Sequence, residues 1–348
     1  MHPGDKATLR LAIGLGLAVL VAYGLGLSVP YFVSVMSVVV LSRPGPPVPL
    51  LKGLVVALLL AALVAVGIAM VPLLEHYAFA GVLLTAVMLH GLFYSGLVGS
   101  NPLSNVLVLS FTLIPVAGVA EQALVGELSV ALATGVGIGV LVSAVSHALF
   151  PDPPAAAGAT AAQVRPDPEA ASWIALRATL IVMPVFVLAL TDPSFYLAAV
   201  MKTVAIGQQA GETDARSAGR ELVGSTLTGA AIAAGVWTGL SIWAALWMLI
   251  LWLVLAALWI GAAMFGVRRT RMQPAFWSNA LVTAFLLLGP AIEDSASGKS
   301  VLEGAVVRTG LFVAVAFYAW GMIRLLERHR SGPPRELAVL HRHREETT

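Results

Sequence analysis

An all-α integral membrane protein of about twelve transmembrane helices, arranged as two parallel six-helix repeats, is the fold class this sequence predicts. Three observations carry it. The composition is 59% hydrophobic and 11% charged, with a mean hydropathy of +0.91, whereas soluble domains carry about 25% charged residues. A chain with so few charges has too little polar surface to face water all round. The apolar residues fall into runs close to the ~20 that cross a hydrocarbon core. The two halves also share polar residues in the same order at near-constant spacing.

In chain order the runs are 8–28, 29–42, 49–73, 77–98, 101–120 and 127–150, then 172–191, 193–208, 220–240, 243–266, 275–291 and 302–323. The first follows Lys6 and Arg10, is long enough to span and leads into further spans, so it reads as a helix and not as a cleavable leader. The second and eighth are shorter than a straight span wants. Each opens on a proline turn, Ser28-Val29-Pro30 and Thr191-Asp192-Pro193, because proline starts helices but cannot continue them.

The charges sort by side. One set of helix ends carries His2, Lys6, Arg10, Arg43, Lys52, Arg165, Arg216, Arg220, Arg268, Arg269, Arg271, Arg324, Arg328 and Arg330. The other carries Glu75, Glu121, Glu127, Asp192, Glu293 and Asp294, with Lys299 its lone base. Basic residues stay in the cytoplasm during insertion, so the expectation is a multi-pass protein of a bacterial inner membrane with both termini cytoplasmic. The domains expected are a first repeat (1–150), a cytoplasmic linker rich in Ala, Gly and Pro (151–171), a second repeat (172–323) and a basic cytoplasmic tail (324–348) that lies on anionic lipid.

The repeat rests on Ser104-Asn105-Val106-Leu107-Val108-Leu109-Ser110-Phe111 against Ser278-Asn279-Ala280-Leu281-Val282-Thr283-Ala284-Phe285. Leu9-Arg10 pairs with Leu176-Arg177, Tyr31 and Met36 with Tyr196 and Met201, and Thr134-Gly135 with Thr309-Gly310. Six helices per unit is even, so the units share one orientation and are related by an axis along the membrane normal. The natural pathway of such a pseudo-dimer is the seam between its halves.

An ionisable side chain in hydrocarbon costs at least ~2.5–3.5 kcal/mol on insertion scales and marks a functional candidate. Lys202, nine residues past Pro193, is the foremost, and its repeat partner is Ser37. It reads either as an anion-attracting group in the pathway or as a structural lysine with a buried acceptor. Arg308 lies about two turns into the last run, with Glu303 five residues earlier and too far round the helix for a good pair; it reads as pathway or as interfacial anchor. His90 reads as a titrating group or as a core imidazole with one hydrogen bond. Tyr31 and Tyr196 complete the pathway candidates. No Asp or Glu falls mid-membrane on this map, so Asp192, Glu221 and Glu303 at helix ends are the coupling candidates if protons drive transport. Buried bases without buried acids favour an anionic substrate.

The chain has no cysteine, no Walker loop, no HExxH and no GxSxG elbow, so neither enzyme chemistry nor a cofactor is expected. His341 and His343 have no companion ligands, so no metal is expected either. The net charge of +2 reflects topology and not nucleic-acid binding.

Each half thus runs from a helix starting Leu-Arg through a Pro-Tyr-Phe or Pro-Ser-Phe-Tyr turn and a short helix to a basic loop, followed in the second half by the small-residue helix Val223-Gly224-Ser225-Thr226-Leu227-Thr228-Gly229. This unit resembles the fusaric-acid-resistance-like (FUSC) superfamily, which includes bacterial aromatic-acid exporters and plant aluminium-activated malate transporters. Pro30-Tyr31-Phe32 and Arg220 to Gly229 carry the likeness best. The resemblance implies export of aromatic carboxylates or other organic anions, with an HlyD-like periplasmic adaptor as partner; a homo-oligomer is a further expectation. It also implies a pathway with basic residues, into which Lys202 and Arg308 fit. The sequence departs from the larger exporters in lacking their big cytoplasmic domain, and Ala133 stands where the second half has Arg308. Rival readings are a passive anion channel, a major-facilitator-type carrier and a non-transporting subunit of an envelope complex. Ser42-Arg43-Pro44-Gly45-Pro46-Pro47 lacks the aspartate of the carrier's signature loop.

Overall fold

Proline marks many helix starts in this chain, although Pro115, Pro184 and Pro290 lie inside helices. In a computed structural model, described for residues 2–42, 55, 68–99, 103–151, 166–209 and 217–330, every regular element among the described residues is an α-helix. The first half holds α1 (Pro3–Gly24), α2 (Pro30–Leu41), α3 (68–76), α4 (Ala78–Gly99), α5 (Leu103–Ala120) and α6 (Gln122–Leu149). The second holds α7 (Pro168–Thr191), α8 (Pro193–Gln208), α9 (Ala218–Ile242), α10 (Leu246–Met264), α11 (Pro274–Ala296) and α12 (Val301–Arg330). Proline opens α1, α2, α7, α8 and α11, where its missing N–H costs nothing. Gly26, Gly266 and Gly298, each at positive φ, stand two residues beyond the ends of α1, α10 and α11 and turn the chain out of the helix.

Eight of these helices are long and apolar enough to cross a membrane: α1, α4, α6, α7, α9, α10, α11 and α12. α2 and α8 are short, as their sequences imply, and the apolar part of α5 is short too. The expected runs fall within about five residues of the observed helix ends, except that α12 continues seven residues past 323 and that most of the third run, 49–73, lies outside the described residues. Arg43, Lys52, Arg165, Arg216, His341 and His343 lie outside them as well, with most of the 151–171 linker and the tail beyond Arg330.

The exterior is greasy. Leu83, Leu84, Val87 and Met88 on α4 and Leu251 and Leu255 on α10 are exposed, the pattern of helices whose outer faces meet lipid and not water. At the centre, α11 buries every residue from Asn279 to Ala291. It packs against α2, α8, α9, α10 and α12.

Two faces follow from contacts between helix ends. On one, which holds the starts of α1 and α7, Lys6 Nζ donates to Pro151 O at 2.8 Å and Arg177 meets Glu327. We term this the terminal face. On the other, the distal face, Arg308 near the start of α12 meets Asp294 near the end of α11. The halves do not pack as separate bundles: α1 packs on α10, α4 on α7, α2 on α11 and α5 on α8.

Candidate functional site

Lysine carries three N–H donors and no acceptor, so a buried lysine must be met by oxygen. Lys202 is wholly buried, and its Nζ donates to Asn279 Oδ1 at 2.8 Å and to Thr283 Oγ1 at 2.5 Å, both on α11. Asn279 Nδ2 then donates to Ser225 Oγ of α9 at 2.7 Å. Ser225 Oγ donates to Leu222 O at 3.1 Å, and Thr283 Oγ1 donates to Asn279 O at 2.6 Å. Every proton in this chain points away from the ammonium. Because lysine only donates, it fixes the orientation of the Asn279 amide and of both hydroxyls.

Backbone approach makes the cluster possible. A Cβ at Gly229 would lie 2.5 Å from Ala280 O and 2.6 Å from Thr283 Cβ, so α9 and α11 touch there through backbone. The Gly224-to-Gly229 stretch is therefore a packing device that brings Ser225 to Asn279. Ser225 lies seven residues into α9, Asn279 five into α11 and Lys202 six from the end of α8. At 1.5 Å per residue the ammonium sits about 8–11 Å in from the terminal face. Among the described residues no carboxylate pairs with it, and its partners are all neutral.

A second polar group occupies the distal end. Arg308 Nη2 meets Asp294 Oδ2 at 2.7 Å, while Nη1 is buried and has no hydrogen-bond partner among the described residues. Gly304 makes room for the pair, since a Cβ there would lie 2.8 Å from Asp294 Oδ2. Tyr31 packs its ring on the backbone at Gly289.

At 100° per residue, positions 279, 283, 290 and 294 fall within about 60° on α11. One stripe of the central helix therefore carries both polar groups, with the buried Leu286, Leu287 and Pro290 between them.

The remaining candidates scatter. Glu221 is buried one turn before Ser225 on the same face of α9. Asp192 caps α8 by accepting from Phe195 N at 3.2 Å, and Glu303 is exposed at the start of α12. His90 is half-buried on α4, its Nδ1 without a hydrogen-bond partner. Ser37 is buried and donates to Val33 O at 2.8 Å, and Tyr196 stacks edge-on against Phe195. Sequence reasoning passed over Asn279, Thr283 and Ser225 as site residues, though Asn279 stood out in the repeat, and it placed Asp294 as a loop acid only. No group of three or more metal-type ligands occurs among the described residues.

No curated protein and no solved structure matches the chain. Residues 7–146, which take in α1 to α6 and less than half of the chain, are similar to a family described as a protein of unknown function, DUF2955.

Proposed function

We propose that this protein is a membrane transporter that exports organic anions, aromatic carboxylates among them, from the cytoplasmic terminal face to the distal face. One observation carries the reading: a fully buried lysine held only by neutral oxygens, with two of its three protons committed. A charge placed so deep, with no counter-ion among the described residues, attracts an anion. The basic helix ends, the resemblance to anion exporters and the apolar outer faces support the same reading. So does the helix pairing. Shifting each helix number by six turns α1 on α10 into α7 on α4, and α2 on α11 into α8 on α5, as a twelve-span protein of two parallel repeats requires. In this arrangement the Lys202 cluster belongs to α8, α9 and α11 of the second half, with α2 and α5 of the first half bordering it.

The test is benzoate flux in proteoliposomes. Lys202→Met, which keeps length and loses charge, is expected to lower flux at least tenfold, equivalent to about 1.4 kcal/mol in the barrier. Unchanged flux would remove Lys202 from the pathway. A non-transporting envelope subunit is the second reading, favoured by the complete burial of the ammonium in helix packing. It predicts no benzoate flux from the native chain and a lowered melting temperature for the variant.

A further inference from the structure

The Arg308 guanidinium is half used. Arginine presents a planar fork that matches a carboxylate with two parallel N–H···O bonds. Here Asp294 takes the Nη2 arm at 2.7 Å, and the Nη1 arm is buried with no acceptor. An unmet buried donor costs about 1–3 kcal/mol, more on a charged group, and calls for an explanation. Among the described residues one arm is held by the protein and the other is bare.

The surroundings suit a small oxyanion. The side chains of Arg308 and Asp294 are 23% and 13% exposed, while Nη1 itself is closed off beside Gly304, so a ligand reaches it only once this end opens. Tyr31 sets an aromatic ring against α11 at Gly289, five residues before Asp294. Asp294 lies on the α11 stripe that also carries Thr283 and hence Lys202. Glu293, next to Asp294 in the chain, adds a second carboxyl group at the same end.

We propose that Arg308 is a second carboxylate-binding site at the distal end of the pathway, where the ligand takes the free Nη1 arm and displaces Asp294 from the other. Asp294 is then the built-in competitor that returns to Arg308 and expels the ligand. The inference rests on the export reading above and adds a release site to it.

Equilibrium binding of radiolabelled benzoate to the purified full-length protein in nanodiscs tests it. The native chain is expected to bind two benzoates, Arg308→Gln one, and Lys202→Met one. Asp294→Asn removes the competitor and is expected to tighten the distal site about tenfold, a gain that misfolding cannot imitate. Two sites retained in Arg308→Gln, or no tightening in Asp294→Asn, overturns the distal site and leaves the export reading standing. No benzoate bound by the native chain overturns both. A single native site lost with Lys202→Met and untouched by Arg308→Gln overturns the distal site alone.

Discussion

A side chain that can only donate imposes its polarity on its neighbours, and around Lys202 that polarity runs through three helices. Asn279 is the joint: its Oδ1 receives the ammonium and its Nδ2 reaches Ser225. Asn279→Leu therefore leaves the buried ammonium with Thr283 as its one remaining acceptor among the described residues and is expected to destabilise the fold by about 1–3 kcal/mol. The check is unfolding in detergent, set beside the Lys202→Met/Asn279→Leu double variant. With the charge gone, the double variant is expected to recover most of that loss, and strict additivity would show that the two residues do not act together. Lys202 itself was legible, because a charge nine residues inside an apolar run stands out. Its partners were not, since Asn279 and Thr283 lie 77 and 81 residues away and only packing brings them near. Arg308 teaches the same lesson. The acid near it in sequence, Glu303, is exposed, and the acid that binds it, Asp294, comes from across the α11–α12 turn.

Helix α9 is the element on which the cluster depends, because its glycines set how close α11 can come. Gly229→Ala would drive a Cβ into Ala280 O and Thr283. The expected loss is about 1–3 kcal/mol, the usual cost of overpacking, read as a lowered melting temperature in detergent together with lowered benzoate flux. Gly235 on the same helix has nothing within 4 Å of its would-be Cβ. Gly235→Ala is accordingly expected to be neutral or to stabilise by about 0.5–1 kcal/mol through helix propensity. Equal effects at the two positions would show that α9 does not meet α11 at Gly229. Helix starts were readable because Pro30 and Pro193 announce them. The central place of α11 was not, because its apolar composition resembles that of helices whose outer faces lie open, such as α4 and α10. What distinguishes α11 is burial on every side, and periodicity carries no information about that.

At the scale of the whole molecule, the exchange of partners between halves decides how the protein holds together. Because α1 packs on α10 and α4 on α7 as well as on helices of their own halves, neither half covers its first and fourth helices alone, and the chain folds as one intertwined body. The repeat could be suspected from matched polar residues, but the exchange could not, because sequence similarity relates equivalent positions and does not say which copy each one touches. The native chain has no cysteine, so paired cysteines report this without background. A Cβ at Gly261 would lie 3.2 Å from Thr8 Cγ2 and 3.4 Å from Thr8 Cα, close enough for Cα atoms to fall inside the ~4.4–6.8 Å range that a disulfide spans. In a Thr8→Cys/Gly261→Cys chain carrying a protease site at position 160, oxidation followed by cleavage is expected to leave the two fragments covalently joined. Joining should persist at high dilution, where contacts between molecules are lost. Fragments that separate on a denaturing gel after oxidation would mean that each half closes on itself, and would place the seam, and any pathway along it, between two self-contained bundles.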